Sequence, residues 1–485
     1  MKEQVNDILL SAGKLIPELW LLTLATVVLL FSIFSQDKKQ FFNTVLSIVG
    51  LIIHLYLLYI QPKETGKLIL GNLEMYSQTV FFKFVFTFSA IFSISLSFFG
   101  KRNNNIRSGE YLSLLLFLLL GLHFMSMAAN FLMLYLSIEI VSFSSYMLTY
   151  FNYDKRSVEG SMKYLLFGAF STAFMLYGIS LIYAFTNSLQ FETIGSITQL
   201  AGTEIGLLAC GLLFIGLLFK LAAFPFQGWA PDVYEAAPTP FVAFLSIAPK
   251  AGAIFIFCVL WEKSGLAVSN ESILNYLVAA VAMLSILFGN LSAVWQTSSK
   301  RLLAYSSIAH TGFILIPIFG ISNGSMASLQ FYVSIFLFMN FAAFSWVYFL
   351  EQKFGSDQIS LMKGSAKAQI FPAILILITM ISLTGLPITA GFTAKLLIFS
   401  TLWEQVQSGN SLMITLFTVG IFNVLIALYY YLKMPYFSFF KTPPITSVPF
   451  LLNKKQQLFL SVMVFPLVLF FFKPDWLLAV IDYLN

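Results

Sequence analysis

Residues 212–252 read LLFIGLLFKLAAFPFQGWAPDVYEAAPTPFVAFLSIAPKAG, and their reading decides the fold. Apolar runs on either side of PFQGW carry two lysines, Lys220 and Lys250. Pro225 closely follows the first, and Pro249 immediately precedes the second. A lysine at membrane depth costs from about 3 kcal/mol on insertion scales to more than about 10 in simulations, so it marks function by default. A proline removes an N–H and frees the carbonyl four residues back; here those carbonyls belong to Leu221 and Leu245. In lipid such groups must find partners in protein or water. An interrupted helix beside a buried amine predicts a hydrated interior site for an ion or a proton.

The rest of the chain is of the same kind. Of its 485 residues 59% are hydrophobic and 10% charged, against about 25% charged in a soluble globule. Apolar runs predict about fourteen transmembrane helices, near 14–35, 41–61, 79–100, 109–128, 129–150, 160–186, 203–225, 238–261, 273–296, 301–320, 326–350, 369–400, 411–434 and 456–481. The class is all-α integral membrane, since the ten-residue alternating segments of a membrane β-barrel are not present in the sequence. The first run reads as a retained anchor and not a cleaved signal. Spans seven and twelve are both interrupted, at PFQGW (225–229) and at GLPITAGF (385–392), with Lys220 and Lys395 near the breaks. Spans five apart run in opposite directions, which is the pattern of an inverted repeat whose paired broken helices point to a transport site.

Charge sets orientation. Alternate loops carry Lys38/Lys39, Lys101/Arg102/Arg107, Lys155/Arg156, Lys300/Arg301, Lys353/Lys363/Lys367 and Lys433/Lys441/Lys454/Lys455, while the other side holds Lys2, Lys63, Lys67 and Lys263. The positive-inside rule makes the first set cytoplasmic and places both termini outside. The net charge of +6 therefore speaks of topology and not of nucleic acid. Cys210 and Cys258 both lie in apolar runs, which argues against a disulfide framework or redox metal. Walker, GxGxxG and paired-histidine haem patterns are missing from the sequence as well, so no metal or cofactor is expected in this chain.

Each buried polar residue has a bland reading beside the functional one. Glu139, mid-span in FLMLYLSIEIVSFSSYML, needs a cationic partner or stays a neutral core acid. Lys220 stands late in its run and could snorkel; Lys250 is too deep for that. Lys395, in ISLTGLPITAGFTAK, follows Pro387 and Gly391 at i, i+4, i+8 spacing, with Thr384, Thr389 and Thr393 as hydroxyls that could hold water. Its bland reading is an amine satisfied by loose backbone carbonyls. Lys163, four residues after Glu159, fits an i,i+4 pair as well as a relay. His310 is a possible proton relay or a satisfied core histidine. His54 and His123 read as structural. Lys83 and Lys473, near span ends, read as snorkelling. Glycine, serine and threonine spacing in spans six and twelve reads as close helix packing.

FKLAAFPFQGWAPDVYEAAPTPFVAFLSIAPKAG, KRLLAYSSIAHTGF and LTGLPITAGFTAK resemble the subunit N family of bacterial respiratory complex I, the proton-pumping NADH:quinone oxidoreductase, related to mitochondrial NADH dehydrogenase subunit 2. The resemblance spans essentially the whole chain. It implies an N-terminal three-helix segment (1–108), two inverted five-helix repeats (109–262, spans four to eight; 263–438, spans nine to thirteen) and a C-terminal helix (439–485). It implies an antiporter-like, non-redox subunit of a proton translocase in a bacterial inner membrane. Other membrane subunits, especially antiporter-like paralogues, would be its partners, and NADH, FMN, iron–sulfur clusters and quinone would belong to other subunits of the complex. Glu139 and Lys220 would be the coupled pair of one half-channel, Lys250 the central relay, Lys395 the exit lysine, and Lys163 a further family lysine. Gln227 departs from the family's usual histidine in PFHxW, and an amide cannot titrate. Burial disfavours an ammonium and a nearby carboxylate favours it; at about 7 Å and an effective dielectric near 20, a Glu–Lys pair couples by roughly 2.4 kcal/mol. Separating such a pair releases a proton and re-forming it reloads one. The alternatives are a subunit of a multi-subunit sodium/proton antiporter, a solitary solute transporter, and a structural membrane subunit.

Overall fold

The computed structural model describes residues 11–34, 40–100, 108–195, 204–265, 273–407, 409–442 and 450–485. Lys2, Lys38, Lys39, Lys101, Arg102 and Arg107, and with them part of the orientation argument, lie outside the described residues, as do Pro443, Pro444 and Pro449 ahead of the predicted last span.

The chain is helical almost throughout. In order come α1 (Ile16–Phe34), α2 (Gln40–Ile60), a short hairpin of β1 (Gly66–Leu68) and β2 (Leu73–Met75), then α3 (Thr79–Ser97), α4 (Ser108–Ser126), α5 (Phe131–Tyr150) and α6 (Lys155–Thr186). Next are α7 (Glu204–Leu221), α8 (Ala230–Ala236), α9 (Thr239–Leu245), α10 (Ala248–Lys263), α11 (Ile273–Val294) and α12 (Ser299–Leu315), the last running on as a 3-10 helix over Ile316–Asn323. The chain closes with α13 (Met326–Phe354), α14 (Ile370–Thr384), α15 (Ala390–Gln407), α16 (Ser411–Phe439), α17 (Lys454–Phe472) and α18 (Pro474–Leu484). Thirteen segments among the described residues are long and apolar enough to cross a membrane. The predicted twelfth span is the remaining one, divided into α14 and α15. The predicted last span is shorter than expected, because the chain leaves the helix at Lys473 and Pro474 opens α18.

Polar residues punctuate the runs. Asn130 caps α5, its Oδ1 accepting from the Met133 N–H at 2.8 Å. Asp154 and Ser157 form a reciprocal capping box at the start of α6. These caps satisfy N–H groups that the first helical turn leaves without partners.

Contacts divide the chain into two compact units. The first comprises 1–220, 236–269 and 483–485. In it α4 packs on α5 and α1, and α10 on α3 and α4. Lys67 reaches Glu192 at 2.8 Å and Lys263 reaches Glu74 at 2.8 Å, pinning the hairpin. The second unit comprises 221–235 and 270–482. In it α11 packs on α12 and α16, and α14 on α16 and α13. Two hydrogen-bonded asparagines, Asn290 and Asn423, join α11 to α16.

Candidate functional site

Lys220 occupies the last turn of α7 and is only 4% exposed. The helix ends at Leu221, Ala222 takes a left-handed φ of 54°, and the Phe224–Pro225 bond is cis. The amine donates to Ser142 Oγ at 2.6 Å, and Ser142 in turn donates to the Ile138 carbonyl. The Tyr146, Tyr164 and Phe219 rings lie 5.7, 5.8 and 5.6 Å from it, a range over which aromatic faces attract a cation. Glu139 sits two turns before Tyr146 on the same helix. Among the described residues it makes no ion pair with Lys220 and acts on it through space. The expected pair is thus not joined by direct contact, and Ser142 is the hydrogen-bond partner of the amine.

The carbonyl expected to be freed by Pro225 is satisfied: Leu221 accepts from the Thr311 hydroxyl at 2.8 Å. Nearby, the Phe224 N–H donates to Ser285 Oγ at 2.9 Å. Gln227 is buried, and its side-chain oxygen has no hydrogen-bond partner among the described residues.

Span eight is broken as well, at Ser246 and Ile247, so that Pro249 falls in the first turn of α10, where its missing N–H costs nothing. Lys250 follows it in that turn and is 2% exposed.

In the second unit Lys395 is 6% exposed. Its amine donates to the carbonyls of Thr384 at 2.6 Å and Leu383 at 3.3 Å, and the Phe313 ring lies 4.7 Å away. These carbonyls close α14, where no further turn supplies an N–H. Two glycines make the approach possible. Gly385 ends α14 at φ +85°, and a Cβ there would stand 2.6 Å from Lys395 Cδ. A Cβ at Gly391 would overlap the Ser382 carbonyl oxygen. The expected shared face is corrected in one respect: Pro387 precedes α15 and so lies off its helical surface. Thr384 and Thr389 also bond back to their own chain, at Met380 and Leu386.

His310 on α12 is buried between two tyrosines. Its Nδ1 meets Tyr332 Oη at 2.5 Å, and its Nε2 meets Tyr431 Oη at 3.0 Å. Tyr431 also touches Ser306 Oγ. Lys163 forms the foreseen i,i+4 pair with Glu159 at 2.7 Å, both side chains largely in the open, and Lys473 is exposed, as snorkelling requires.

Lys83 corrects the sequence reading. It does not snorkel: it is fully buried, 2.8 Å from Glu18 Oε1. His123 Nδ1 lies 3.1 Å from the same oxygen. The reason is tertiary, since Glu18 comes from α1, a partner invisible to a reading confined to span three. Ser142 was missed too; its signal was the run of hydroxyls after Glu139. Among the described residues no group of three or more His, Cys, Asp or Glu could hold a metal.

Comparison with known proteins places the chain. Residues 128–424 match the family described as NADH:quinone oxidoreductase/Mrp antiporter, TM. The chain is 34% identical over 445 residues to NADH-quinone oxidoreductase subunit N of Chlorobium chlorochromatii, covering 89% of this chain and 86% of that one. Its fold matches a chain of respiratory complex I from Thermus thermophilus with a TM-score of 0.79 at 24% identity, covering 96% and 99%. It equally matches a chain of the Mrp complex from Dietzia, with a TM-score of 0.81 at 15% identity, covering 98% and 96%. The fold is thus common to both kinds of complex, and the identity of 34% over most of the chain carries the finer assignment. The chain belongs to the NADH:quinone oxidoreductase/Mrp antiporter transmembrane family, and within it to subunit N of the NADH-quinone oxidoreductases.

Proposed function

We propose that this chain is an antiporter-like, proton-translocating membrane subunit of an NADH:quinone oxidoreductase, with no redox role of its own. The observation that carries the reading is that Lys220, Lys250 and Lys395, three amines at membrane depth, each stand beside an interruption of their helix, in a chain 34% identical to a subunit N. Lys220 is solvated by one hydroxyl and three rings, so Glu139 biases its charge at a distance. Lys250 stands at a helix N-terminus, where the macrodipole favours an anion over an ammonium, which suits a relay that hands its proton on. Lys395, held by bare carbonyls, takes the exit role, and His310 a further relay. The two repeats, 109–262 and 263–438, would each supply one broken span of the matched pair. NADH, FMN, iron–sulfur clusters and quinone belong on this reading to other subunits, the partners are membrane subunits of the same complex, and the termini face the periplasm across a bacterial inner membrane.

The test is pumping by the assembled complex. Lys250→Ala and Lys395→Ala should each impair proton translocation while the complex still assembles, and Lys395→Arg should do so too, because guanidinium does not release its proton in this range. Full pumping in both alanine variants would sink the axis. The Mrp-like fold match supports a second reading as an antiporter subunit; co-purification with flavin and iron–sulfur proteins separates the two.

A further inference from the structure

Four ionisable side chains meet in the interior of the first unit, one from each of α1, α2, α3 and α4: Glu18, His54, Lys83 and His123. None is more than 2% exposed. All precede residue 128, where the family match begins, and none belongs to the lysine series above. Lys83 Nζ lies 2.8 Å and His123 Nδ1 3.1 Å from the same carboxylate oxygen, Glu18 Oε1. The His54 and His123 ring centroids are 5.0 Å apart.

A structural ion pair would be complete with Glu18 and Lys83. The cluster holds more than that. Glu18 Oε2 and His123 Nε2 are buried without a hydrogen-bond partner among the described residues. Buried polar atoms left unsatisfied carry a standing cost and call for an explanation. The geometry supplies one. A carboxylate at Nδ1 fixes the His123 tautomer with the proton on Nδ1, which leaves Nε2 as the basic nitrogen. Glu18 and Lys83 cancel in charge, so a proton arriving at Nε2 forms an imidazolium already in contact with a carboxylate. A metal cation fits poorly, because the Lys83 ammonium occupies the oxygen it would need.

We propose that Glu18, Lys83, His123 and His54 form a second buried proton-binding site, with His123 Nε2 as acceptor and His54 as its neighbour. The other carboxylates and amines on these four helices and on the helices packed against them are Glu110 on α4, Glu139 on α5, and Lys250, Glu262 and Lys263 on α10. Of the helices that carry them, α10 is reached through Phe86. That ring lies 6.2 Å from the His123 ring, and its Cζ is 3.5 Å from where a Cβ on Gly252 would stand. A loaded cluster therefore lies one aromatic ring away from the Gly252 face of α10.

The experiment is infrared difference spectroscopy of the intact purified complex between about pH 8 and about pH 5, the interval in which histidine charge ordinarily changes. Wild type minus His123→Gln should show the imidazole-to-imidazolium bands of one residue, lost in the variant. Glu18→Gln/Lys83→Met, a neutral pair of similar volume, should lose the same bands from that interval, and it serves if His123→Gln fails to assemble. Spectra of these variants that superimpose on wild type would overturn the proposal and leave the cluster as packing only. The measurement reads protonation directly, so its outcome is separate from whether the chain pumps.

Discussion

The two interrupted spans solve one problem by different means. At the break after α7 the amine of Lys220 is held by side chains: the Ser142 hydroxyl and three aromatic faces. At the break before α15 the amine of Lys395 is held by main chain, the carbonyls of Leu383 and Thr384. The first arrangement can be erased by one side-chain change. The second can be erased only by moving the backbone, and the two glycines show where the backbone is tight. Lys250 is a third case, at the start of a helix and not at an end.

The largest effect should come from the backbone. Gly391→Ala drives a methyl into the Ser382 carbonyl oxygen, and no flexible side chain can yield. The penalty should reach or exceed the roughly 1–3 kcal/mol typical of overpacking. The variant should fail to accumulate in assembled complex; accumulation at wild-type level would refute the close approach of α14 and α15.

Ser142→Ala comes next. It deletes a hydrogen bond to a charged group, worth about 1.5–3 kcal/mol, so the proton-transfer rate through Lys220 should change tenfold or more. Thr384→Val is its counterpart at the other break. The Thr384 hydroxyl bonds Met380, while Lys395 uses the carbonyl, so pumping should hardly change. Equal effects of the two substitutions would erase the distinction between side-chain and main-chain solvation.

Thr311→Val should cost less. It strips the hydroxyl from the Leu221 carbonyl and should lower stability by about 1 kcal/mol, read as a lower melting temperature with pumping largely retained. A variant as stable as wild type would mean that the freed carbonyl needs no side-chain donor.

The smallest effect belongs to an amine in water. Lys67 chelates Glu192 at 2.8 and 2.9 Å outside the spans, and its hydrogen bond holds the Glu192 carboxyl below the usual range. The pair's contribution is therefore complete above about pH 4.3, the ordinary glutamate value, and fades as pH falls through the lower folded value. Both groups are open to solvent, so the difference from Glu192→Gln should stay under about 0.5 kcal/mol, seen as converging melting temperatures in acid. A larger, acid-sensitive gap would show that this rim is less exposed than its geometry says.

Much of this was legible in the sequence because lipid permits few solutions. Spans, breaks and deep lysines follow from residue type and order: the proline after LLFKLAAF has no N–H to continue the helix it follows. Close packing at Gly178, where a Cβ would meet the Leu213 backbone nitrogen at 2.6 Å, matches the small-residue pattern of span six. What could not be read depends on which helices are neighbours. Lys83 was misjudged because its depth is set by Glu18 on another helix. Ser142 was not foreseen as the hydrogen-bond partner of Lys220, because only the helix crossing decides which turn faces the amine. The break of span eight falls ahead of its proline, since a proline in the first turn starts a helix as readily as it stops one.

The row Ser306–Tyr431–His310–Tyr332 has a consequence for timing. Each hydroxyl carries one hydrogen, and a neutral imidazole carries one on a single nitrogen. When Tyr431 donates to Nε2, Nδ1 must bear the hydrogen and point it at Tyr332; when Nε2 bears it, every bond runs the other way. A proton that crosses such a row leaves its polarity inverted behind it. On the relay role proposed for His310, the row would refuse a second proton from the same end until each member had rotated back, so it would meter passage one at a time, with a dead interval set by hydroxyl and ring reorientation and not by the height of any charge barrier.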